Sequence, residues 1–157
     1  MKKHNYQTLL EWTGNLGNGT KDYKSYSRDH CLTIEGKQHP VLGSSDPSFR
    51  GDPSRYNPEE LFLASISNCH MLWYLHLCSV NHIVVLDYVD RATAIMEEDK
   101  TGSGHFTGVT LHPHVKVKDE EMIEKANGLH EKANQFCFIA NSCSFTIKHE
   151  PKTEVID

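Results

Sequence analysis

The chain has 157 residues, a size typical of one folded domain that buries its core without disulfide cross-links. A net charge of -5 argues against the basic surface of a nucleic-acid-binding protein. A hydrophobic fraction of 38% is typical of a soluble globular protein, and no secretory signal or membrane-spanning run is recognisable. We therefore expect a single cytoplasmic domain over residues 1–157, with no nucleic-acid or membrane partner.

The first third of the chain is predicted to be β structure. Residues 6–13 and 25–35 have strand-like composition, and the glycine-rich segment 14–19 forms the turn between them. Residues 43–57 contain several Gly, Pro and Ser residues and indicate an extended loop that carries Arg50 and Arg55.

A long helix follows this loop. Asn57 is a favourable N-cap residue, Pro58 suits the first helical position, and Glu60 completes a capping box. The helix is predicted to run to about Cys78. Apolar residues occur on most of its sides, a pattern typical of a central, buried helix.

The second half alternates strands with another helix. Residues 83–97 and 108–118 are predicted strands joined by a turn at 99–104, and residues 144–149 form a last strand before a charged tail. Asp119 is predicted to cap a second helix with one buried stripe, formed by Met122, Ala126, Leu129, Ala133 and Phe136. The pattern predicts an α+β fold with two main helices and five or six antiparallel strands.

Two of the five cysteines stand out by their context. Cys69 lies deep in the first helix among small and polar neighbours, and Cys137 directly follows the second helix. Two thiols delivered to one place by different segments can reduce a peroxide, one as a sulfenic acid and the other closing a disulfide. Each could equally be a buried structural residue. Cys143 is an alternative second thiol, whereas Cys31 and Cys78 are expected to be structural.

Several motifs resemble one family. Residues 57–62, Asn-Pro-Glu-Glu-Leu-Phe, followed by Ser-Asn-Cys-His-Met at 67–71, resemble the central-helix signature of the osmotically inducible protein C and organic hydroperoxide resistance (OsmC/Ohr) family. Residues 130–142 resemble the second-cysteine motif of that family, although Phe138 stands where many members have proline. Trp-Thr-Gly-Asn at 12–15 and Ser-Ser-Asp-Pro at 44–47 fit its OsmC-like branch.

This resemblance implies a function and a set of site residues. It implies antiparallel strands around a long buried central helix in an intertwined homodimer, and thiol-dependent reduction of organic hydroperoxides in oxidative stress defence. Cys69 would be the peroxidatic thiol, Cys137 the resolving thiol and Glu59 the active-site carboxylate. Arg50 is our choice for the arginine, with Arg28 and Arg55 as rivals. The reaction would need an external thiol or dithiol reductant, but no metal or organic cofactor.

The spacing of Glu59 and Cys69 places a constraint on that site. Ten residues of straight helix separate them by ~15 Å along the axis, so the two side chains cannot touch. Either a long arginine bridges part of this gap, or one of the two residues serves the site of a partner subunit. A guanidinium near Cys69 would favour the thiolate form and would stabilise the alkoxide that leaves a cleaved peroxide.

Other functions have weaker support. A non-catalytic protein of the same fold could bind a small apolar ligand or another protein. A nucleophilic pair of Cys69 and His70 would indicate a hydrolase, but no acyl-transfer motif accompanies it. His112 and His114 share one face of a predicted strand, with His105 nearby, and could bind a metal. Neither Cys-x-x-Cys nor His-Glu-x-x-His occurs, so a solvated strand face is the simpler interpretation and we expect no bound metal.

Overall fold

The computed structural model describes residues 1–156, and it confirms the α+β class. Neither α-helix in this range is long and apolar enough to cross a membrane. The helices are α1 (Pro58–Val80) and α2 (Ile123–Phe136). The strands are β1 (Leu9–Trp12), β2 (His30–Thr33), β3 (Val41–Gly43), β4 (Val85–Asp90), β5 (Thr93–Glu98), β6 (Gly104–Leu111), β7 (Pro113–Val117), β8 (Thr146–His149) and β9 (Lys152–Val155).

Contacts along the chain group it into two compact units, one up to Phe62 and the other from Leu63 onward. The first unit contains an antiparallel sheet in the order β1-β2-β3. Its strands are shorter than the sequence predicts, and the predicted loop 43–57 contains a short 3-10 turn at Pro47–Phe49. That the whole chain is one domain stays a prediction.

Helix α1 begins where the sequence predicts. The Asn57 side chain accepts a hydrogen bond from the Glu60 backbone N–H at 2.8 Å, and the Asn57 N–H donates to the Glu60 carboxylate at 3.1 Å. This is the reciprocal capping box. The helix buries the side chains of Ile66, His70, Tyr74, Leu77 and Cys78. Leu72 stays 63% exposed, so one side of the helix is uncovered in a single chain.

The two long strands predicted after α1 are each broken, which corrects the sequence interpretation. Residues 83–97 divide into β4 and β5, and residues 108–118 divide into β6 and β7. The break lies where the Asp90 carboxylate accepts hydrogen bonds from the His112 backbone N–H at 2.7 Å and from the Ser67 hydroxyl at 2.5 Å. The hairpin therefore contributes to two sheets, ordered β4-β7-β9 and β5-β6-β8.

The prediction of five or six antiparallel strands is also wrong at the C-terminal end. Strand β8 pairs with β6, and β9 pairs with β7, both in parallel. Residues 152–155 form β9 although the sequence indicates a charged tail. The chain returns to the hairpin after α2, and a crossover of this length permits parallel pairing.

Helix α2 starts later than predicted. Asp119 precedes a 3-10 turn at Glu120–Met122 and makes no capping hydrogen bond through its side chain, so the predicted cap is wrong. The α-helix begins at Ile123. Its stripe is otherwise as predicted, with Ala126, Leu129 and Ala133 buried, but Phe136 is 44% exposed. The stripe packs into a core with residues of α1, of β7 and of the segment between α1 and β4: Tyr74, Leu77, Cys78, Ile83, Val115 and Val117.

Candidate functional site

The structure brings Cys69 and Cys137 together. Cys69 is half-buried on α1, and Cys137 is fully buried at the residue that ends α2. Both are free thiols, and they lie close enough for Cys69 to affect the ionisation of Cys137. Because they come from different helices, closing a disulfide here would covalently join α1 to the end of α2.

The environment of Cys137 keeps its thiol protonated. Burial first, and then the nearby Cys69 thiol, raise the pKa of Cys137 well above its usual range. The Ala140 backbone N–H donates to the Cys137 sulfur at 3.3 Å, which acts in the opposite direction. The thiolate is the nucleophilic form of cysteine, so a protonated Cys137 is poorly suited to a first attack.

The other cysteines have different environments. The Cys143 thiol donates to the Ile139 carbonyl at 3.2 Å, and burial raises its pKa. Cys78 is buried in the core, and burial raises its pKa also. Cys31 lies on β2, in the first unit. Cys137, rather than Cys143, is therefore the cysteine whose ionisation Cys69 affects.

The three candidate arginines lie in the first unit and differ in what they bind. The Arg28 guanidinium donates to the carbonyls of Tyr26 at 2.6 Å and Tyr23 at 2.7 Å, and it lies 4.2 Å from the centre of each ring. Arg55 forms ion pairs of 3.6 Å with Asp29 and with Asp52.

Arg50 is exposed and has a left-handed backbone, with φ of 66°, where it ends the 3-10 turn. Within residues 1–156 its guanidinium has no ion pair or hydrogen-bond partner. Glu59 is half-buried in the first turn of α1, where Glu60 rather than Glu59 closes the capping box. The roles of Arg50 and Glu59 around Cys69 stay predictions.

An apolar surface flanks the thiol pair. We define the aromatic patch as Leu72, Trp73, Phe136 and Phe138. The Trp73 ring stacks on Phe136 with centroids 5.2 Å apart and meets Phe138 edge-on at 5.7 Å. Phe138, which directly follows Cys137, is 69% exposed. A shallow cavity of about 290 Å³ lies beside Leu72, Trp73 and His76.

Sequence reasoning missed a buried group of histidines, which we call the imidazole cluster: His70, His130 and His149. His70 is 1% exposed and His130 is 2% exposed, and their Nε2 and Nδ1 atoms are hydrogen-bonded at 3.0 Å. The His149 ring stacks on His70 at 4.5 Å. The sequence contains one indication that His130 is buried, because it falls between Ala126 and Ala133 on the buried stripe of α2.

The remaining histidines do not form a metal site in the part of the chain that the structure describes. His112 lies between β6 and β7 rather than within a strand, and its ring is 3.4 Å from the Glu150 carboxylate. His114 lies 2.9 Å from Glu154. His70, the partner of Cys69 in the hydrolase alternative, directs Nε2 to His130.

Comparison with known proteins identifies the family. The family model described as OsmC-like protein matches residues 51–152, and the chain belongs to this family. No curated protein matches the sequence significantly. An OsmC-like protein of unknown function from Vibrio cholerae O1 biovar eltor has a similar structure, with 28% identity and a TM-score of 0.82 over 98% of this chain and 100% of that one.

More distant structures share the fold. An organic hydroperoxide resistance protein from Elizabethkingia anophelis is 20% identical with a TM-score of 0.68, over 99% of this chain and 100% of that one. An organic hydroperoxide resistance protein OsmC from Legionella pneumophila is 19% identical with a TM-score of 0.68, over 98% of this chain and 100% of that one. At this identity, the likeness establishes the fold alone.

Proposed function

We propose that this protein reduces organic hydroperoxides with Cys69 and Cys137 as its redox pair. The observation that carries the proposal is the proximity of the two free thiols, which α1 and the end of α2 bring to one place. Membership of the OsmC-like family and the shared fold with two organic hydroperoxide resistance proteins support it.

The proposed cycle has three steps. The Cys69 thiolate attacks one peroxide oxygen, the O–O bond breaks, and the alcohol leaves with a proton while Cys69 becomes a sulfenic acid. Cys137 then attacks the Cys69 sulfur, and water leaves as the disulfide forms. Two electrons from an external thiol or dithiol restore both thiols.

Two charged residues complete the proposed site. The guanidinium of Arg50 orients the peroxide and stabilises the leaving alkoxide. In the active form Glu59 would pair with that guanidinium, which has no partner within residues 1–156 of the single chain. Arg28 and Arg55 are less suitable, because their guanidinium groups already bind tyrosines or aspartates.

We infer that the active form is a cytoplasmic homodimer. Leu72 on α1 is 63% exposed and Leu10 on β1 is 63% exposed in the single chain, and a second subunit would cover apolar side chains such as these. A second subunit would also supply the arrangement in which Glu59 and Cys69 serve different sites.

We infer further that the substrate carries an apolar group. The aromatic patch borders Cys137 and presents the exposed rings of Phe136 and Phe138. Burying an alkyl or aryl group against these rings favours such a peroxide over hydrogen peroxide by about 25 cal/mol per Å² of apolar surface.

The test adds one equivalent of cumene hydroperoxide to the fully reduced protein and maps disulfides by peptide mass. We expect a rapid Cys69–Cys137 disulfide that Cys69→Ser abolishes, whereas the matched control Cys31→Ser forms it at the wild-type rate. Hydrogen peroxide should react more slowly, and equal rates would contradict the apolar substrate.

No oxidation over minutes would contradict the peroxidase. The thiols would then be structural, and the alternative of a non-catalytic protein that binds a small apolar ligand or a protein would replace it. Hydrolysis of esters that is lost in Cys69→Ser but retained in Cys137→Ser would instead identify a hydrolase.

A further inference from the structure

In the imidazole cluster, the rings of His70 and His130 are hydrogen-bonded to each other, and a further aromatic ring stacks on each of them. His70 and His130 lie nearly in one plane, 7° apart, with the 3.0 Å hydrogen bond between them. His149 stacks on His70 at 4.5 Å, and Tyr74 stacks on His130 at 3.9 Å. The stacking fixes the plane of each ring and therefore the direction of the bond.

This bond joins the two helices that deliver the thiols. His70 is the residue after Cys69 on α1, and His130 lies on α2 about two turns before Cys137. A change in the His70–His130 distance shifts α2 along or away from α1. The same shift moves Cys137 relative to Cys69.

The bond depends on uncharged rings. A neutral imidazole carries one N–H, so one ring of the pair donates and the other accepts. The outward nitrogens, His70 Nδ1 and His130 Nε2, are buried and have no hydrogen-bond partner among residues 1–156. Adding a proton would bury a charge and a second unpaired N–H, which is costly in this environment.

The groups that face the cluster do not compensate such a charge. Tyr74 and Cys78 on α1 and Tyr88 on β4 are neutral, because burial raises the pKa of each. Of the three histidines, Asp90 on β4 affects His149, where it opposes part of the effect of burial; it also raises the pKa of Tyr88. Burial lowers the pKa of His70 to about 3 and of His130 to about 4.

We propose that the neutral His70–His130 pair positions Cys137 against Cys69 for disulfide closure. His70 and His130 are positioning residues, since they touch each other rather than the reacting sulfurs. The proposal rests on the proposed redox cycle, but it concerns the second step alone. It predicts that breaking the imidazole bond slows closure more than it slows the first attack.

Closure can be measured without a peroxide. In a Cys31→Ser, Cys143→Ser background, one equivalent of dithiobis(nitrobenzoate) forms a mixed disulfide on Cys69 and releases one nitrothiobenzoate. The Cys137 sulfur then attacks the Cys69 sulfur, loses its proton to water, and expels the second nitrothiobenzoate, whose absorbance reports the closure rate. A wild-type site that does not close contradicts the redox pair itself, which separates that failure from failure of the positioning role.

We expect His130→Leu to slow closure at least about tenfold, because a small misplacement of reacting atoms has a large effect on rate. His130→Asn keeps an amide group near the position of Nδ1 and should restore closure to within about threefold of wild type. Leu129→Ala is the matched control, since it removes buried apolar volume from the neighbouring position of α2. It should lower stability and leave closure unchanged.

Closure of His130→Leu at the wild-type rate would overturn the proposal, and so would equal slowing in Leu129→Ala. If His130→Leu does not fold, NMR titration of the wild-type imidazoles tests the same linkage. Coupling is reciprocal, so the disulfide form should protonate His70 and His130 at lower pH than the dithiol form does. Identical titrations in the two forms would exclude the positioning role.

Discussion

The two compact units use their apolar side chains in opposite ways. On β1 of the first unit, Leu9 is 57% exposed and Leu10 is 63% exposed, whereas on β6 of the second unit Val109 is 2% exposed and Leu111 is fully buried. A three-stranded sheet with open apolar residues lacks a core of its own. The second unit therefore carries the stability of a single chain, and the first unit needs a further surface to cover it.

The same division holds for the chemistry. The second unit contains the contacting thiols and the imidazole cluster, which are buried or half-buried. The first unit contains the charged candidates, and the guanidinium of Arg50 is exposed. The well-packed unit holds the groups that must form a bond with each other, and the open unit holds the group that we expect to contact substrate.

The largest expected effect tests the difference in side-chain burial between the two units. Leu111→Ala should lower the free energy of unfolding by about 2–5 kcal/mol, because it leaves a cavity at a fully buried position. Leu10→Ala, the matched change on β1, should alter unfolding of the single chain by about 0.5 kcal/mol or less. Urea denaturation at low protein concentration measures both, and equal losses would contradict the contrast between the units.

The next effect concerns the arginines. Arg50→Gln should slow sulfenic acid formation by about a hundredfold, since removing a donor to a developing oxyanion has an effect of this size. The change should leave unfolding unaffected. Arg28→Gln is the control, and it should weaken the segment that holds Tyr23 and Tyr26 while the first step stays near the wild-type rate. Stopped-flow oxidation by cumene hydroperoxide distinguishes them, and a reversed pattern would transfer the role to Arg28.

The smallest effect, counted for one residue over one pH unit, is the pH dependence of the imidazole cluster. Burial lowers the pKa of His70 to about 3 and of His130 to about 4, and it lowers the pKa of His149. The histidines of an unfolded chain have a pKa of about 6.5, so the unfolded chain binds more protons than the folded chain below that pH. Stability is thus fully present above about pH 6.5 and falls by up to about 1.4 kcal/mol per pH unit for each histidine as acid is added.

Urea denaturation between neutral pH and pH 5 checks this slope. His130→Asn should reduce it, whereas His105→Gln, at an exposed position, should not. A flat stability profile over this range would show that the folded and unfolded chains bind equal numbers of protons, and it would contradict a lowered pKa for the buried rings.

Local signals made part of the fold predictable. The start of α1 follows from Asn57, Pro58 and Glu60, whose capping interactions involve only neighbouring residues. The burial of alternate residues from Val109 to Val117 was also predictable, because it follows from a local alternation of apolar side chains. The break at Asp90 was not, because it depends on hydrogen bonds to Ser67 and His112, which are distant in sequence.

The site divides in the same way. Cys69 and Cys137 could be named because each lies in a recognisable motif, and the structure brings them together. The imidazole cluster could not, because histidine occurs readily both at the surface and in the core, and the chain has 11 of them. Only the packing of α1, α2 and β8 shows which of these are buried side by side.

The parallel strands at the C-terminal end have a consequence for the order of folding. The hairpin of β4 to β7 closes between neighbouring segments, whereas β8 and β9 join it only after α2 has been spanned. Thr153 on β9 donates a hydrogen bond to Asn127 on α2 at 2.6 Å, and β8 supplies His149. Contacts between such distant segments form slowly. We therefore expect the thiols to meet late in folding, so that a nascent chain is protected from premature cross-linking of Cys69 to Cys137.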